Sequence, residues 1–169
     1  VRIRTITTFI IGSAFLFASV APAAAQTSTA TEVGVSYSFL RMFESNAPVG
    51  FAVDFSKQMA PMGGGNIGIV GEFGLNRFSE DDFFAAETQL SFMGGVRFTG
   101  AARGKVRPFG QFLAGGLNSF DQTDFAVQPG VGVSIDSSES LAWRVQLDFP
   151  IDFATGKTFK GFRLNFGFL

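Results

Sequence analysis

The sequence predicts an all-β chain folded as a single eight-stranded antiparallel up-and-down transmembrane β-barrel. Eight segments alternate between apolar and polar residues, and the clearest is 49–58, where Val49, Phe51, Val53 and Phe55 are separated by small or polar residues. Successive side chains of a strand leave opposite faces, so each segment contacts an apolar medium on one side and a polar one on the other. The composition, with 23 phenylalanines and 21 glycines, also favours strands. An even number of strands joined by short connections can close into a barrel without exposed edges.

Residues 1–25 have the three zones of a secretory signal peptide. Two arginines precede an apolar run over 9–20, and a small-residue zone ends at the expected cleavage site after Ala25. The run is too short to span a bilayer, which takes about 20 apolar residues. We therefore expect an exported chain with one outer-membrane barrel domain, 26–169. The chain has no cysteine, so its stability must come from burial and strand pairing.

The first four predicted strands span 31–43, 49–58, 66–77 and 87–99. A turn over 44–48, a connection over 59–65 and the longest loop, 79–86, separate them. In each strand one set of alternate residues is apolar. These sets are Val33, Val35, Tyr37 and Phe39; Val49, Phe51, Val53 and Phe55; Ile67, Ile69, Phe73 and Leu75; and Leu90, Phe92, Val96 and Phe98.

The last four predicted strands span 106–117, 125–136, 141–152 and 159–169. The alternation fails in 106–117, where Phe109, Leu113 and Leu117 share one face while Val106 and Phe112 share the other. The facing of that strand therefore stays open. The other three have the apolar sets Phe125, Val127, Val131, Val133 and Ile135; Leu141, Trp143, Val145, Leu147, Phe149 and Ile151; and Phe162, Leu164, Phe166 and Phe168.

Two prolines, Pro129 and Pro150, lie inside predicted strands. Proline cannot donate to a strand ladder, and a closed barrel has no edge on which to place it. If the first strand starts on the periplasmic side, both prolines fall toward the outer ends of their strands. We expect bulges or frayed pairing there.

The polar face decides whether the apolar side chains contact lipid or fill a soluble barrel. It combines small residues with charges of both signs and contains few lysines and threonines, which suits a narrow eight-stranded interior. Facing outward, Arg144 would enter hydrocarbon at a cost of roughly 2–4 kcal/mol. We therefore predict an interior charge network of Asp54, Glu72, Glu87, Arg97, Arg144, Asp148 and Arg163. The predicted lipid-facing side chains are Val49, Phe51, Val53, Phe55, Phe92, Phe98, Trp143, Val145, Leu147, Phe149, Phe162, Leu164, Phe166 and Phe168.

The interior charges are expected to pair, because an unpartnered charge in the lumen would cost several kcal/mol. Glu72 and Arg97 lie on neighbouring predicted strands, and Arg144, Asp148 and Arg163 lie on the last two. These two sets are the expected pairs. Pairing of these charges is expected whatever the function of the protein. If the charge network also has a function, it would be a gate that rearranges to admit ions.

An exported chain with eight two-faced strands and a last strand reading GFRLNFGFL resembles the small outer-membrane β-barrel family that includes the OmpA membrane domain and OmpX. The resemblance covers 26–169 and implies insertion by the barrel-insertion machinery. Members of that family typically end in an aromatic residue. Phe166 and Phe168 fit this signal, but the last aromatic residue lies one position before the terminal Leu169.

The residue types argue against catalysis. The chain contains no histidine, which excludes Ser-His hydrolase and Asp-His protease chemistry. Serines such as Ser36, Ser56 and Ser91 are then interior fillers. A carboxylate pair running glycoside hydrolysis would need room for a sugar, which a filled barrel lacks.

Metal and phosphate binding are also weakly indicated. The acidic residues of 80–82, with Asp121 and Asp124, would gather at the outer loops and resemble a Ca²⁺ site, but a solvated acidic rim is the simpler interpretation. The glycines of 63–65 lack the lysine of a phosphate-binding loop and predict a turn. We predict no catalytic residue, no metal and no cofactor.

The sequence thus predicts a non-catalytic, monomeric outer-membrane barrel with a structural or surface-interaction role, in contact with outer-membrane lipid. Two alternatives stay open: a narrow diffusion pore gated by interior charges, and a soluble periplasmic barrel that binds an apolar ligand. Acidic residues outnumber basic ones after residue 25, so nucleic acid is not an expected partner.

Overall fold

The computed structural model describes residues 31–42, 45–78, 88–119, 122–154 and 157–169. The predicted signal peptide, 1–25, lies outside these ranges, as does Glu87, so both stay predictions. Over the part of the chain that is described, no helix is long and apolar enough to cross a membrane.

The chain forms a closed antiparallel barrel of eight main strands. Its elements are β1 (Thr31–Met42), β2 (Ser45–Ala47), β3 (Val49–Met62), β4 (Gly65–Arg77), β5 (Thr88–Gly100), β6 (Val106–Ser119), β7 (Gln122–Asp136), β8 (Ala142–Asp148), β9 (Ile151–Phe153), β10 (Phe159–Lys160) and β11 (Phe162–Phe168). The ring runs β1, β3, β4, β5, β6, β7, β8 and β11, and β11 pairs with β1 to close it. The short strands extend this ring: β2 pairs with β1, β9 with β7, and β10 with β9. The all-β, eight-stranded up-and-down architecture is confirmed.

The barrel has two different ends. Residues 31 and 169 lie at one end together with the turns at 63–64, 101–105 and 137–141, and we call it the terminal end. We call the opposite end, where Met42, Arg77, Ser119 and Phe153 lie, the loop end.

Two predicted connections were too long. The connection predicted over 59–65 is mostly strand, since β3 continues to Met62 through a bulge between Gln58 and Ala60. Gly63 and Gly64, with φ of 56° and 83°, make the turn alone, because glycine adopts the left-handed region without steric cost. The connection predicted between 117 and 125 is also shorter, because β6 and β7 stay paired to Ser119 and Gln122.

Both strand prolines are accommodated without a register shift. Phe149 N–H donates to the Pro129 carbonyl at 2.8 Å, and Gly161 N–H donates to the Pro150 carbonyl at 2.9 Å. Opposed residues of such a pair normally exchange two bonds, so each proline removes one. The pairings Gly130↔Asp148 and Val127↔Ile151 keep one register across the gap between β8 and β9. The expectation of local fraying is met, and that of a bulge is wrong.

The apolar side chains lie on the outside of the barrel. All the residues predicted to face lipid project outward, from Phe51, which is 58% exposed, to Trp143, which is 38% exposed, with Leu147 less exposed. The open facing of 106–117 is resolved: Phe109, Leu113 and Leu117 point inward, while Phe112 is exposed. A soluble barrel with its apolar residues inside is therefore excluded.

Aromatic side chains form clusters near both ends of the outer surface. Trp143 lies 5.4 Å from Phe166 and 4.1 Å from Phe168 near the terminal end, measured between ring centroids. Near the loop end Phe125 stacks on Phe153 at 6.0 Å. Aromatic girdles at both edges of an apolar band are typical of membrane barrels.

The outer face gives a depth-dependent prediction. We expect Phe55→Arg, at the middle of β3, to lower the free energy of unfolding by about 2–4 kcal/mol, because the guanidinium would enter the hydrocarbon centre. Val49→Arg, at the loop-end edge of the same strand, should cost no more than about 1 kcal/mol. Reversible denaturant unfolding in phospholipid vesicles measures both, and equal costs would contradict the proposed membrane position.

Candidate functional site: the interior charge network

Two carboxylates lie side by side in the barrel wall. Asp54 of β3 is directly opposite Glu72 of β4, and both side chains point into the lumen, 7% and 6% exposed. Like charges at directly opposed positions repel, and burial away from water strengthens that repulsion. The pair therefore requires cations on the inside of the barrel.

Asp54 is neutralised by two arginines that reach it from other strands. Arg144 Nη1, from β8, donates to both carboxylate oxygens at 2.7 and 2.9 Å, and Arg97 Nη1, from β5, donates to Oδ1 at 2.9 Å. The Phe109 ring contacts both guanidiniums, with each Cζ 4.9 Å from its centroid. This contact favours cations through the negative face of the ring. It explains why a phenylalanine points into a charged lumen.

Glu72 is bound by a third arginine and two amides. Arg163, from β11, donates to Glu72 Oε1, and Gln128 Nε2 donates to the same oxygen at 3.1 Å. Gln146 Nε2 donates to Oε2 at 3.3 Å. These contacts join β4 to β7, β8 and β11 across the lumen.

One register row links the two groups. Arg97 is opposite Gln111, Gln111 opposite Gly130, Gly130 opposite Asp148, and Asp148 opposite Arg163. Gln111 Oε1 accepts from Arg97 at 2.7 and 3.0 Å, and its Nε2 donates to Asp148 at 3.2 Å. Gln111 reaches Asp148 over β7 because Gly130 has no side chain between them.

Asp148 is the most fully enclosed carboxylate of this row, with 0% exposure. Its Oδ2 accepts from Gln146 and Asn165, both at 2.8 Å, and from Arg163 at 3.3 Å. Three side chains thus donate to this one carboxylate oxygen.

The network continues to the terminal end. Arg107 donates to Glu32 at 2.7 Å and to Asp136 at 2.8 and 3.1 Å, and Arg144 Nη2 donates to Glu32 at 3.2 Å. Here the side chains are only partly buried. The charges therefore form one connected set that ends near solvent.

One predicted pair is wrong and several members were missed. Glu72 is opposite Met93, whereas Arg97 is opposite Gly68, four residues away along β4, and Arg97 binds Asp54 instead of Glu72. Gln111 and Arg107 were missed because the facing of their strand was unresolved; their polar character, on the same face as Phe109, would have assigned it. The structure does not describe Glu87. It places the other predicted members in the lumen, all buried: Asp54, Glu72, Arg97, Arg144, Asp148 and Arg163.

The lumen changes character toward the loop end. Leu40, Met42, Leu113, Leu117 and Ala126 are all at most 3% exposed and belong to one apolar cluster. Apolar side chains thus cluster toward the loop end, beside buried polar side chains such as Asn76 and Gln89, while the ion pairs extend from Arg163 and Asp148 to the terminal end.

Three serines of the lumen contact arginine side chains. Ser56, Ser91 and Ser134 lie 3.4 to 3.5 Å from arginine nitrogens, as acceptors. Among the described residues, no group of three or more potential metal-ligating side chains occurs. The arrangement therefore braces the barrel.

No family model and no curated protein matches the chain. Its structure is similar to that of the outer membrane enzyme PagL, at 16% identity and a TM-score of 0.57, over 79% of this chain and 97% of PagL. It is also similar to Ail, the attachment invasion locus protein of Yersinia pestis (15% identity, TM-score 0.52, 82% and 96% covered), and to Neisserial surface protein A, NspA (10%, 0.57, 82% and 93%). The chain has the fold of the small eight-stranded outer-membrane β-barrels.

Removing the carboxylate at the centre of the network should be costly. We expect Asp54→Asn to lower the free energy of unfolding by about 3–5 kcal/mol, because Arg97 would lose its carboxylate partner and Arg144 would keep only Glu32. Asp136→Asn is the matched control, and since its side chain is 37% exposed it should cost less than about 1 kcal/mol. Denaturant unfolding measures both, and similar costs would contradict the central role of Asp54.

Gly130 gives a second prediction. A Cβ added at Gly130 would overlap Asp148 Oδ1 and lie 3.3 Å from Gln111 Cγ, and Asp148 cannot turn aside without losing its donors. We expect Gly130→Ala to destabilise by roughly 1–3 kcal/mol. Gly110→Ala, where the added Cβ meets only a backbone oxygen at 3.9 Å, should stay within about 0.5 kcal/mol of the parent. Equal unfolding midpoints for the two variants would refute the steric argument.

Proposed function

We propose that this chain is an integral outer-membrane protein whose barrel is a closed, non-catalytic support with a structural or surface-interaction role. The observation that carries the proposal is the filled lumen. Ion pairs between strands that are not neighbours cross it, and an apolar cluster occupies its loop-end side together with buried polar side chains. Contacts of this kind across the lumen make the barrel rigid.

The location follows from the outer surface and the comparisons. An apolar belt with aromatic clusters at both edges suits contact with outer-membrane lipid. The named neighbours include an outer membrane enzyme and an attachment protein, and NspA is a surface protein. Insertion by the barrel machinery and a monomeric state complete the proposal.

A catalytic role finds no support in the side chains, although PagL is an enzyme with the same fold. Serines within the lumen face guanidiniums or amides, which do not accept a proton from a hydroxyl. The chain offers no histidine as a base. We therefore favour a surface-interaction role, carried out by the loop end, over a catalytic role.

Conductance distinguishes the proposed closed barrel from a narrow pore. We expect no unitary current steps from the purified barrel in planar bilayers, because an ion would have to displace both the ion pairs and the apolar cluster. The double variant Leu113→Gly and Arg163→Ala, which removes one brace and part of the cluster, should conduct. Leu164→Gly and Phe162→Ala, on the outer face, form the control and should stay silent. Steps from the parent that change with Arg144→Gln would instead establish the pore.

A further inference from the structure

Four polar atoms in the loop-end half of the lumen have no hydrogen-bond partner in the protein. They are Ser38 Oγ, Asn76 Oδ1, Asn165 Oδ1 and Arg163 Nε. Each of these residues is at most 2% exposed. Bulk solvent therefore does not satisfy them.

The four atoms come from one section of the wall. Ser38 of β1 is directly opposite Asn165 of β11, and Arg163 follows two residues away on the same inner face. Asn76 is opposite Gly50 of β3, the strand that neighbours β1. A Cβ at Gly50 would overlap Asn76 Oδ1, so the glycine lets this amide lie along the wall. We call this group the Ser38 section.

The charge network fixes two of these side chains. Asn165 Nδ2 donates to Asp148 at 2.8 Å, which fixes the amide and leaves its Oδ1 without a donor. Arg163 Nη2 faces Glu72 and Asp148, which holds the guanidinium plane and leaves Nε–H without an acceptor. The charge network thus leaves Asn165 Oδ1 and Arg163 Nε without hydrogen-bond partners in the protein.

A buried polar atom left without a partner destabilises the folded state, and a small domain has little stability in reserve for four of them. Buried water normally satisfies such groups when several polar partners converge. We propose that the Ser38 section binds ordered water molecules. They donate to the two amide oxygens, accept from Arg163 Nε–H, and exchange a hydrogen bond with the Ser38 hydroxyl.

The surroundings enclose this water. Leu40 lies directly opposite Arg163, and Leu40 and Met42 belong to the apolar cluster at the loop end. On the terminal side Arg163 is held by Glu72 and Asp148. The bound water should therefore exchange slowly, and it completes the solvation of an arginine that is 2% exposed.

Water-to-protein cross-relaxation in solution NMR tests the proposal on the folded barrel in lipid nanodiscs. We expect slow-exchange water signals at the Asn165 side-chain amide and the Arg163 Nε–H. The Gln146 side-chain amide, whose donors face two carboxylates, serves as the internal control and should show none. Absence of water signals at Asn165 and Arg163 would overturn the proposal.

The substitution Ser38→Ala distinguishes a hydroxyl that binds water from one that has no partner, because the two cases change the urea midpoint in opposite directions. If water binds the hydroxyl, Ser38→Ala lowers the urea midpoint and weakens the water signals. If the hydroxyl is unpaired, the same change raises the midpoint, and the proposal fails. Ser36→Ala is the control, since the Ser36 hydroxyl donates to the Ala52 carbonyl at 3.4 Å, and it should leave the water signals unchanged. Neither readout depends on whether the barrel conducts.

Discussion

The repulsion between Asp54 and Glu72 is the constraint from which the interior follows. Register places these two carboxylates at opposed positions of β3 and β4, facing a lumen from which water is largely excluded. Each must be neutralised separately, and the residues directly opposite them on the outer sides of the pair, Gly34 and Met93, carry no charge. Arginines from β5, β8 and β11 therefore extend across the barrel, Arg97 and Arg144 to Asp54 and Arg163 to Glu72. A local conflict thus produces braces between distant strands.

The same braces determine the rest of the packing. Phe109 contacts the two guanidiniums at Asp54, and Gly130 leaves the space through which Gln111 reaches Asp148. Toward the loop end an apolar cluster forms around Leu113 and Leu117. The barrel is apolar outside, and its interior has ion pairs that extend to one end and an apolar cluster beside buried polar side chains toward the other. This division favours a rigid support over a channel.

Periodicity made the fold predictable, while register decided what the sequence left open. Alternation of period two assigned the faces of strands such as β8, because charge cannot face hydrocarbon. Alternation left the facing of 106–117 open, since the apolar side chains of Phe109 and Leu113 point inward. The contact of Phe109 with two guanidiniums becomes apparent only in the structure. Nor could alternation choose between Glu72 and Asp54 for Arg97, because these carboxylates lie directly opposite each other and Arg97 is four residues from both along the register. Long side chains that cross the lumen join strands that no sequence pattern relates.

The most direct test is the state of the guanidinium groups in the folded barrel, measured by NMR in lipid nanodiscs. If Arg97, Arg144 and Arg163 span the lumen as described, their Nη protons give separate signals that exchange slowly with solvent, because rotation would break the bonds to Asp54 and Glu72. Averaged Nη signals in fast exchange would mean that the arginines are free and hydrated. The account of a braced, closed interior would then be wrong.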